Sequence, residues 1–210
     1  MRAFIYTGGK IDASGITECP QNDDLVIAAD SGYRNAAAMS VRPHILLGDF
    51  DSLPREELNE AADGAEVLTV PSEKDFTDTQ MAVNTAIKRG ATELIIIGGL
   101  SGRLDHTLSN LGIFRHMKIN GVRVTMTDGI NRVGYLKNDS AIILRSNFKY
   151  LSLIALNEKV KGVTVEGCKY PLSNATLTDR YQYAVSNEIT GNCAFVSVKK
   201  GELLIIESRD

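Results

Sequence analysis

The 210-residue chain is 43% hydrophobic and 23% charged, the balance of a globular protein built as one large domain or two modest ones. Its formal net charge of -3 offers no broad basic field to a nucleic-acid backbone, which excludes nucleic-acid binding as a main role. No apolar run suits a membrane span or a signal-peptide core, and Cys19, Cys168 and Cys193 lack metal-ligand spacing and an even count, so they read as reduced thiols of a cytoplasmic protein.

In the first half, short apolar runs alternate with helical patterns, which predicts strand-helix-strand units and a mainly parallel sheet with flanking helices. The expected strands are residues 3–6, 25–29, 45–47, 66–70, 93–97 and 123–126. Several end in polar or glycine-rich turns, among them Thr7-Gly8-Gly9, Asp30-Ser31-Gly32 and Gly98-Gly99-Leu100-Ser101-Gly102. Ligands of such sheets bind at the carboxyl ends of the strands, where these turns lie. Thr77 and Gln80 have the spacing of a capping box, followed by an apolar helix face of Met81, Ala82, Val83, Ala86 and Ile87. Asp105 is placed to cap a helix carrying Leu108, Leu111 and Phe114.

The third strand runs into Gly48-Asp49-Phe50-Asp51-Ser52. If the chain stays extended there, Asp49 and Asp51 face one side and Phe50 turns into packing. Two carboxylates sharing one volume are stable with a hard divalent cation between them, most simply Mg2+. A plain turn after a buried strand is the alternative reading. Asp30, Asp49, Asp51, Asp75, Asp78 and Asp105 all fall near strand ends or helix starts. Such an acidic crevice accepts a polyphosphate once a divalent metal bridges the two, with glycine turns close to phosphate and Lys74 and Arg103 adding positive charge. Neither turn matches a P-loop or a dinucleotide fingerprint.

From about Gly129 helical periodicity gives way to alternating segments at 149–156, 160–166, 181–185, 193–199 and 203–207. These predict a C-terminal antiparallel sandwich or barrel-like domain. The expected division is residues 1–128 for nucleotide and metal and 129–210 for the β domain.

Four ordered segments carry a family resemblance: Ala29-Asp30-Ser31-Gly32, Leu47-Gly48-Asp49-Phe50-Asp51-Ser52, Lys74-Asp75-Phe76-Thr77-Asp78 and Gly98-Gly99-Leu100-Ser101-Gly102-Arg103-Leu104-Asp105-His106. Together with Tyr183-Ala184-Val185-Ser186-Asn187-Glu188, they resemble the motif set of the thiamin pyrophosphokinases. The resemblance implies a homodimer whose α/β domain binds ATP and Mg2+ and whose β domain helps bind thiamin, with the site formed between subunits. It implies Asp49, Asp51 and Asp78 as metal ligands and Asp30, Asp75 and Asp105 as acidic neighbours. Ser31, Lys74, Ser101, Arg103 and His106 fall on the ATP side, and Gln80, Ser186 and Asn187 on the thiamin side. Tyr170 stands where some members carry Trp, and a tyrosine face also attracts a cationic thiazolium.

The reaction so implied is in-line attack of the thiamin hydroxyl on the β-phosphorus of ATP, with Asp75 or Asp78 as candidate base. An Asp-x-Asp phosphohydrolase with Asp49 as nucleophile is one rival, and a non-enzymatic nucleotide or thiamin-diphosphate sensor is another.

Overall fold

The computed structural model describes residues 1–50, 62–70, 75–119 and 121–210, which divide into two compact units, Met1–Gly129 and Ile130–Asp210.

The first unit holds β1 (Arg2–Tyr6), β2 (Leu25–Ala29), α1 (Gly32–Ala38), β3 (Ile45–Gly48), β4 (Glu66–Thr69), α2 (Asp78–Lys88), β5 (Glu93–Ile97), α3 (Leu104–Ile119) and β6 (Arg123–Thr127). Its strands pair in parallel in the order β4-β3-β2-β1-β5-β6. The chain therefore builds outward from β1 on one side, returns, and adds β5 on the other. This reversal makes β1 and β5 the topological switch point, the place where open α/β sheets bind ligands.

Both faces of the sheet are covered, so the central strands are apolar at successive positions rather than alternating. Phe4, Tyr6, Ala28, Leu46 and Ile97 cluster with Ala36 of α1 and with Phe50. Their neighbours Ile5, Ile27, Ile45 and Ile96 are also fully buried. Helix α2 packs on β1, β2 and β3 and buries Ala82, Val83 and Ala86. It starts at the expected capping box: the Thr77 hydroxyl accepts from the Gln80 N–H, and the Gln80 side chain accepts from the Thr77 N–H.

Helix α3 departs from expectation in two ways. It begins at Leu104, which puts Asp105 inside the first turn rather than at the cap. Its buried face is Asn110, Ile113, Phe114 and Met117, whereas Leu108 is 60% exposed.

In the second unit, β7 (Asn131–Lys137), β13 (Glu202–Ser208) and β9 (Tyr150–Ala155) pair antiparallel in that order. A second antiparallel sheet runs β11 (Leu172–Leu177), β10 (Val160–Glu166), β12 (Cys193–Ser197) and β8 (Ser140–Leu144). Residues of both sheets, including Leu151, Leu153, Leu203 and Ile205 against Val163, Val165, Ala194 and Val196, form one core. The fold class is therefore the expected one, a parallel sheet with helices followed by an antiparallel β unit.

One expected strand is absent: residues 181–185 are not part of a ladder. The Gln182 carboxamide accepts from the Ala155 N–H and donates to the Ala155 carbonyl, both at 3.1 Å, the two bonds that a neighbouring backbone would otherwise make. No helix among the described residues is long and apolar enough to cross a membrane.

Candidate active site

Above the switch point, the turns leaving β1, β2 and β5 and the first turns of α2 and α3 enclose a cavity of about 480 Å3. Its lining includes Gly8, Gly9, Asp30, Ser31, Asp78, Ser101, Arg103 and His106. Six of the sequence candidates, from three separate chain segments, thus meet at one opening beside the glycines of a fourth.

Close backbone packing explains the glycines. A Cβ on Gly9 would sit 1.9 Å from the Gly98 carbonyl oxygen, and one on Gly8 would sit 2.0 Å from the Ser31 hydroxyl. The turns after β1, β2 and β5 can approach this closely only where side chains are missing. Ser101 donates its hydroxyl to the Lys10 carbonyl at 2.7 Å, tying the β5 turn to the β1 turn.

Asp30 follows β2 with φ of 49°, a left-handed conformation that short polar residues tolerate. Its Oδ1 is buried without a hydrogen-bond partner among the described residues. A carboxylate oxygen turned away from hydrogen-bond donors and set at a cavity suits a hard cation. With Asp78 in the first turn of α2, the cavity offers two hard oxygen donors, the chemistry of a divalent-metal site.

Arg103 and Asp105 form an ion pair at 2.6 Å on the exposed start of α3. The hydrogen bond from Arg103 holds the Asp105 carboxyl below its ordinary value against opposing desolvation, with the His106 N–H adding to it. Arg103 is held correspondingly more firmly in its charged form.

One expectation for the acidic residues is corrected, and the structure brings only some of them to the cavity. Strand β3 ends at Gly48 and Phe50 has φ of 55°, so the extended geometry assumed for the Asp-x-Asp pair does not hold. Phe50 is nonetheless buried, reaching the core through a turn rather than strand alternation. Among the described residues lining the cavity, Asp49, Asp75 and Asp105 do not figure. Asp51 and Lys74 lie outside the described residues. No set of three His, Cys, Asp or Glu gathers as a metal-ligand group among the described residues.

The thiamin-side candidates separate. Gln80 lines a second cavity, of about 340 Å3, with Phe76, Val83, Ser109 and Met117 between α2 and α3. In the second unit, Tyr170 and Asn187 line a pocket of about 110 Å3 floored by Leu151, Leu153 and Val165. Ser186, at φ of 56°, donates its N–H to the Ser152 hydroxyl and is not among the described residues lining that pocket.

Three polar side chains of the first site went unread in the sequence. Thr7 donates to the Ile97 carbonyl at 3.1 Å, Asn110 to the Gly99 carbonyl at 2.9 Å, and Asn35 to the carbonyls of Thr7 and Gly9. Asn110 is a buried polar residue on an apolar helix face, which was the available signal.

Two family models and curated relatives point to one family. Residues 16–126 match the family model described as thiamin pyrophosphokinase, catalytic domain, and residues 140–203 match the thiamin pyrophosphokinase, vitamin B1 binding domain. The thiamine pyrophosphokinase of Bacillus subtilis (strain 168) is 30% identical over 95% of this chain and 92% of its own length. Thiamin pyrophosphokinase 1 of Caenorhabditis elegans is 26% identical over 79% of this chain and 70% of its own. A crystal structure of the Bacillus subtilis protein superposes with a TM-score of 0.89 at 26% identity, covering both chains fully.

Proposed function

This chain belongs to the thiamin pyrophosphokinase family, and on that premise we propose that its switch-point cavity binds the triphosphate of ATP together with Mg2+. The reaction is transfer of the pyrophosphoryl group of ATP to the hydroxyl of thiamin, giving thiamin diphosphate and AMP. Family membership supports this enzyme class over the phosphohydrolase and sensor readings. The site reading is carried by one observation: two glycine turns share a cavity with an Asp30 oxygen that is buried and has no hydrogen-bond partner among the described residues.

Asp30 and Asp78 would hold the cation, with Asp49 and Asp51 added from the family motif. Bound Mg2+ supplies charge neutralisation and polarises phosphoryl oxygens. Arg103 and His106 stand at the mouth to meet the remaining phosphate charge, and Ser31 and Ser101 offer hydroxyls to the nucleotide. The thiamin hydroxyl attacks the β-phosphorus in line, forming the new O–P bond as the bond to the α-phosphate oxygen breaks and AMP departs. Asp75, the neighbouring carboxylate not committed to the cation, takes the hydroxyl proton. No covalent enzyme intermediate is required.

Thiamin is assigned to the pocket of the second unit, with Tyr170 against the cationic thiazolium and Asn187 behind it. Gln80 and Ser186 stay on the thiamin side as the family motif has them. We also infer a cytoplasmic homodimer. Supporting this are three unpaired thiols and Leu104 and Leu108, 70% and 60% exposed one helical turn apart on α3.

Purified protein incubated with ATP, Mg2+ and thiamin is expected to form AMP and thiamin diphosphate in equal amounts. Both products disappear when thiamin or Mg2+ is omitted. Asp78→Asn is expected to keep the folded circular-dichroism spectrum while turnover falls by about 100-fold or more, the scale of losing a metal-holding charge. Full activity in that variant would remove Asp78 from the site.

A further inference from the structure

We propose that Asn35 is a positioning residue for ATP, its carboxamide holding the turn after β1 so that backbone N–H groups face the phosphates. The inference deepens the site reading above and rests on it.

Asn35 sits in the middle of α1, beside Ala36, Ala37 and Ala38. Asparagine is a weak helix former because its side chain competes for backbone groups. Here the side chain is spent elsewhere. Its Nδ2 donates to the Thr7 carbonyl at 2.6 Å and to the Gly9 carbonyl at 2.7 Å. Both protons of one amide are thus used on carbonyls that flank Gly8. A serine hydroxyl has one such proton, and an ionised aspartate has none.

The peptide plane turns this anchoring into orientation. In a trans peptide a carbonyl and the following N–H point in opposite directions. Holding the Thr7 and Gly9 carbonyls toward α1 therefore sends the N–H groups of Gly8 and Lys10 the other way. Gly8 lines the cavity, whereas Asn35 and Lys10 are not among its lining residues, so the Gly8 N–H is the donor this orientation offers there. Carbonyl oxygens that swung into the cavity would repel phosphate, so the two bonds also keep acceptors out of an anion's path.

The amide also touches the second glycine turn. A Cβ on Gly98 would meet the Asn35 Nδ2 at 3.0 Å, the Thr7 oxygen at 2.8 Å and the Gly9 oxygen at 3.1 Å. One carboxamide therefore stands where the β1 and β5 turns converge, on the helix that begins beside Ser31. With two glycines, the β1 turn has few side chains to fix itself.

The test compares Asn35→Ala, Asn35→Ser and Asn35→Asp with Ala37→Gly, which weakens the same helix at an exposed position without touching the amide. Steady-state kinetics would be measured for ATP and thiamin separately, alongside melting temperature. The expected result is a rise of about tenfold or more in KM for ATP with Asn35→Ala and Asn35→Asp, the scale of losing charge-assisted bonds to phosphate. Asn35→Ser should fall between, and KM for thiamin should stay put in all of them. Ala37→Gly should lower melting without moving KM for ATP. If the Asn35 variants merely follow Ala37→Gly, or raise both KM values alike, the positioning role is overturned. His106→Ala separates the two levels of inference. A raised KM for ATP there with none in Asn35→Ala defeats only the Asn35 proposal, while no change in either defeats the nucleotide reading of the cavity.

Discussion

The Asn187 carboxamide grips the backbone of Tyr170 from both sides: its Nδ2 donates to the Tyr170 carbonyl at 2.7 Å and its Oδ1 accepts from the Tyr170 N–H at 2.9 Å. A side chain thereby imitates one rung of an antiparallel ladder. Its amide is occupied, with the Glu188 N–H also donating to Oδ1 at 3.0 Å. On the proposed thiamin assignment Asn187 would act through Tyr170, a residue 60% exposed that lines the pocket. Asn187→Ala is expected to raise KM for thiamin about tenfold, the worth of one or two hydrogen bonds near 1 kcal/mol each, and to leave KM for ATP unchanged. Tyr170→Ala should show the same selectivity and Tyr170→Trp should restore affinity. Equal effects on both substrates would assign Asn187 to general stability.

Asp30→Asn separates folding from function. Its Oδ1 finds no hydrogen-bond partner among the described residues, and the variant puts a neutral amide of the same shape in place of the carboxylate. Asparagine also tolerates the left-handed backbone at this position. Melting of the metal-free variant should stay within about 1 kcal/mol of wild type, while Mg2+-dependent turnover collapses. A less stable and fully active variant would show that the carboxylate is satisfied in another way.

How far the sequence reached depends on how local each interaction is. The capping box was legible because Thr77 and Gln80 lie three residues apart and bond only to each other's backbone. The strand-end turns were legible because parallel strands carry their own apolar signature. Asn35 was not, since its partners lie 26 and 28 residues away and nothing near it in sequence demands an amide. Residues 181–185 misled for a related reason: their alternation is real, but Gln182 supplies by side chain the pairing that alternation predicts for backbone. At Phe50 burial was foreseen for the wrong geometry, because a positive φ turns the ring inward where strand alternation was assumed.

Two glycine substitutions should behave oppositely. Gly9→Ala places a methyl 1.9 Å from the Gly98 oxygen, so the two turns must part by about an ångström, a displacement that costs on the order of 100-fold at a reacting centre. Its kcat/KM for ATP should fall on that scale. Gly64→Ala meets nothing within 4 Å, but its φ of +78° strains any side chain. That variant should lose about 1 kcal/mol of stability with unaltered kinetics. Comparable kinetics in both variants would dissociate the β1 and β5 turns from nucleotide binding.

Remote from the cavity, Arg2 and Asp24 set an acid limit on stability. Burial alone would push the Asp24 carboxyl up, but donors from Arg2, at 2.6 Å and 3.1 Å, and from the Gln21 N–H, at 2.7 Å, bring it below its ordinary value. A carboxylate with a lowered folded-state pKa stabilises the fold in its ionised form. Its contribution is complete above the unfolded value of about 3.9 and is lost as pH falls through the lower folded value. At pH 7, Asp24→Asn should cost about 1–3 kcal/mol, because the side chain is 5% exposed and its partners lose a charged acceptor. Urea midpoints of wild type and variant should therefore differ at pH 7, differ equally at pH 9, and converge toward pH 2. A gap that persists undiminished at pH 2 would assign the loss to packing around residue 24 and not to the ionised pair.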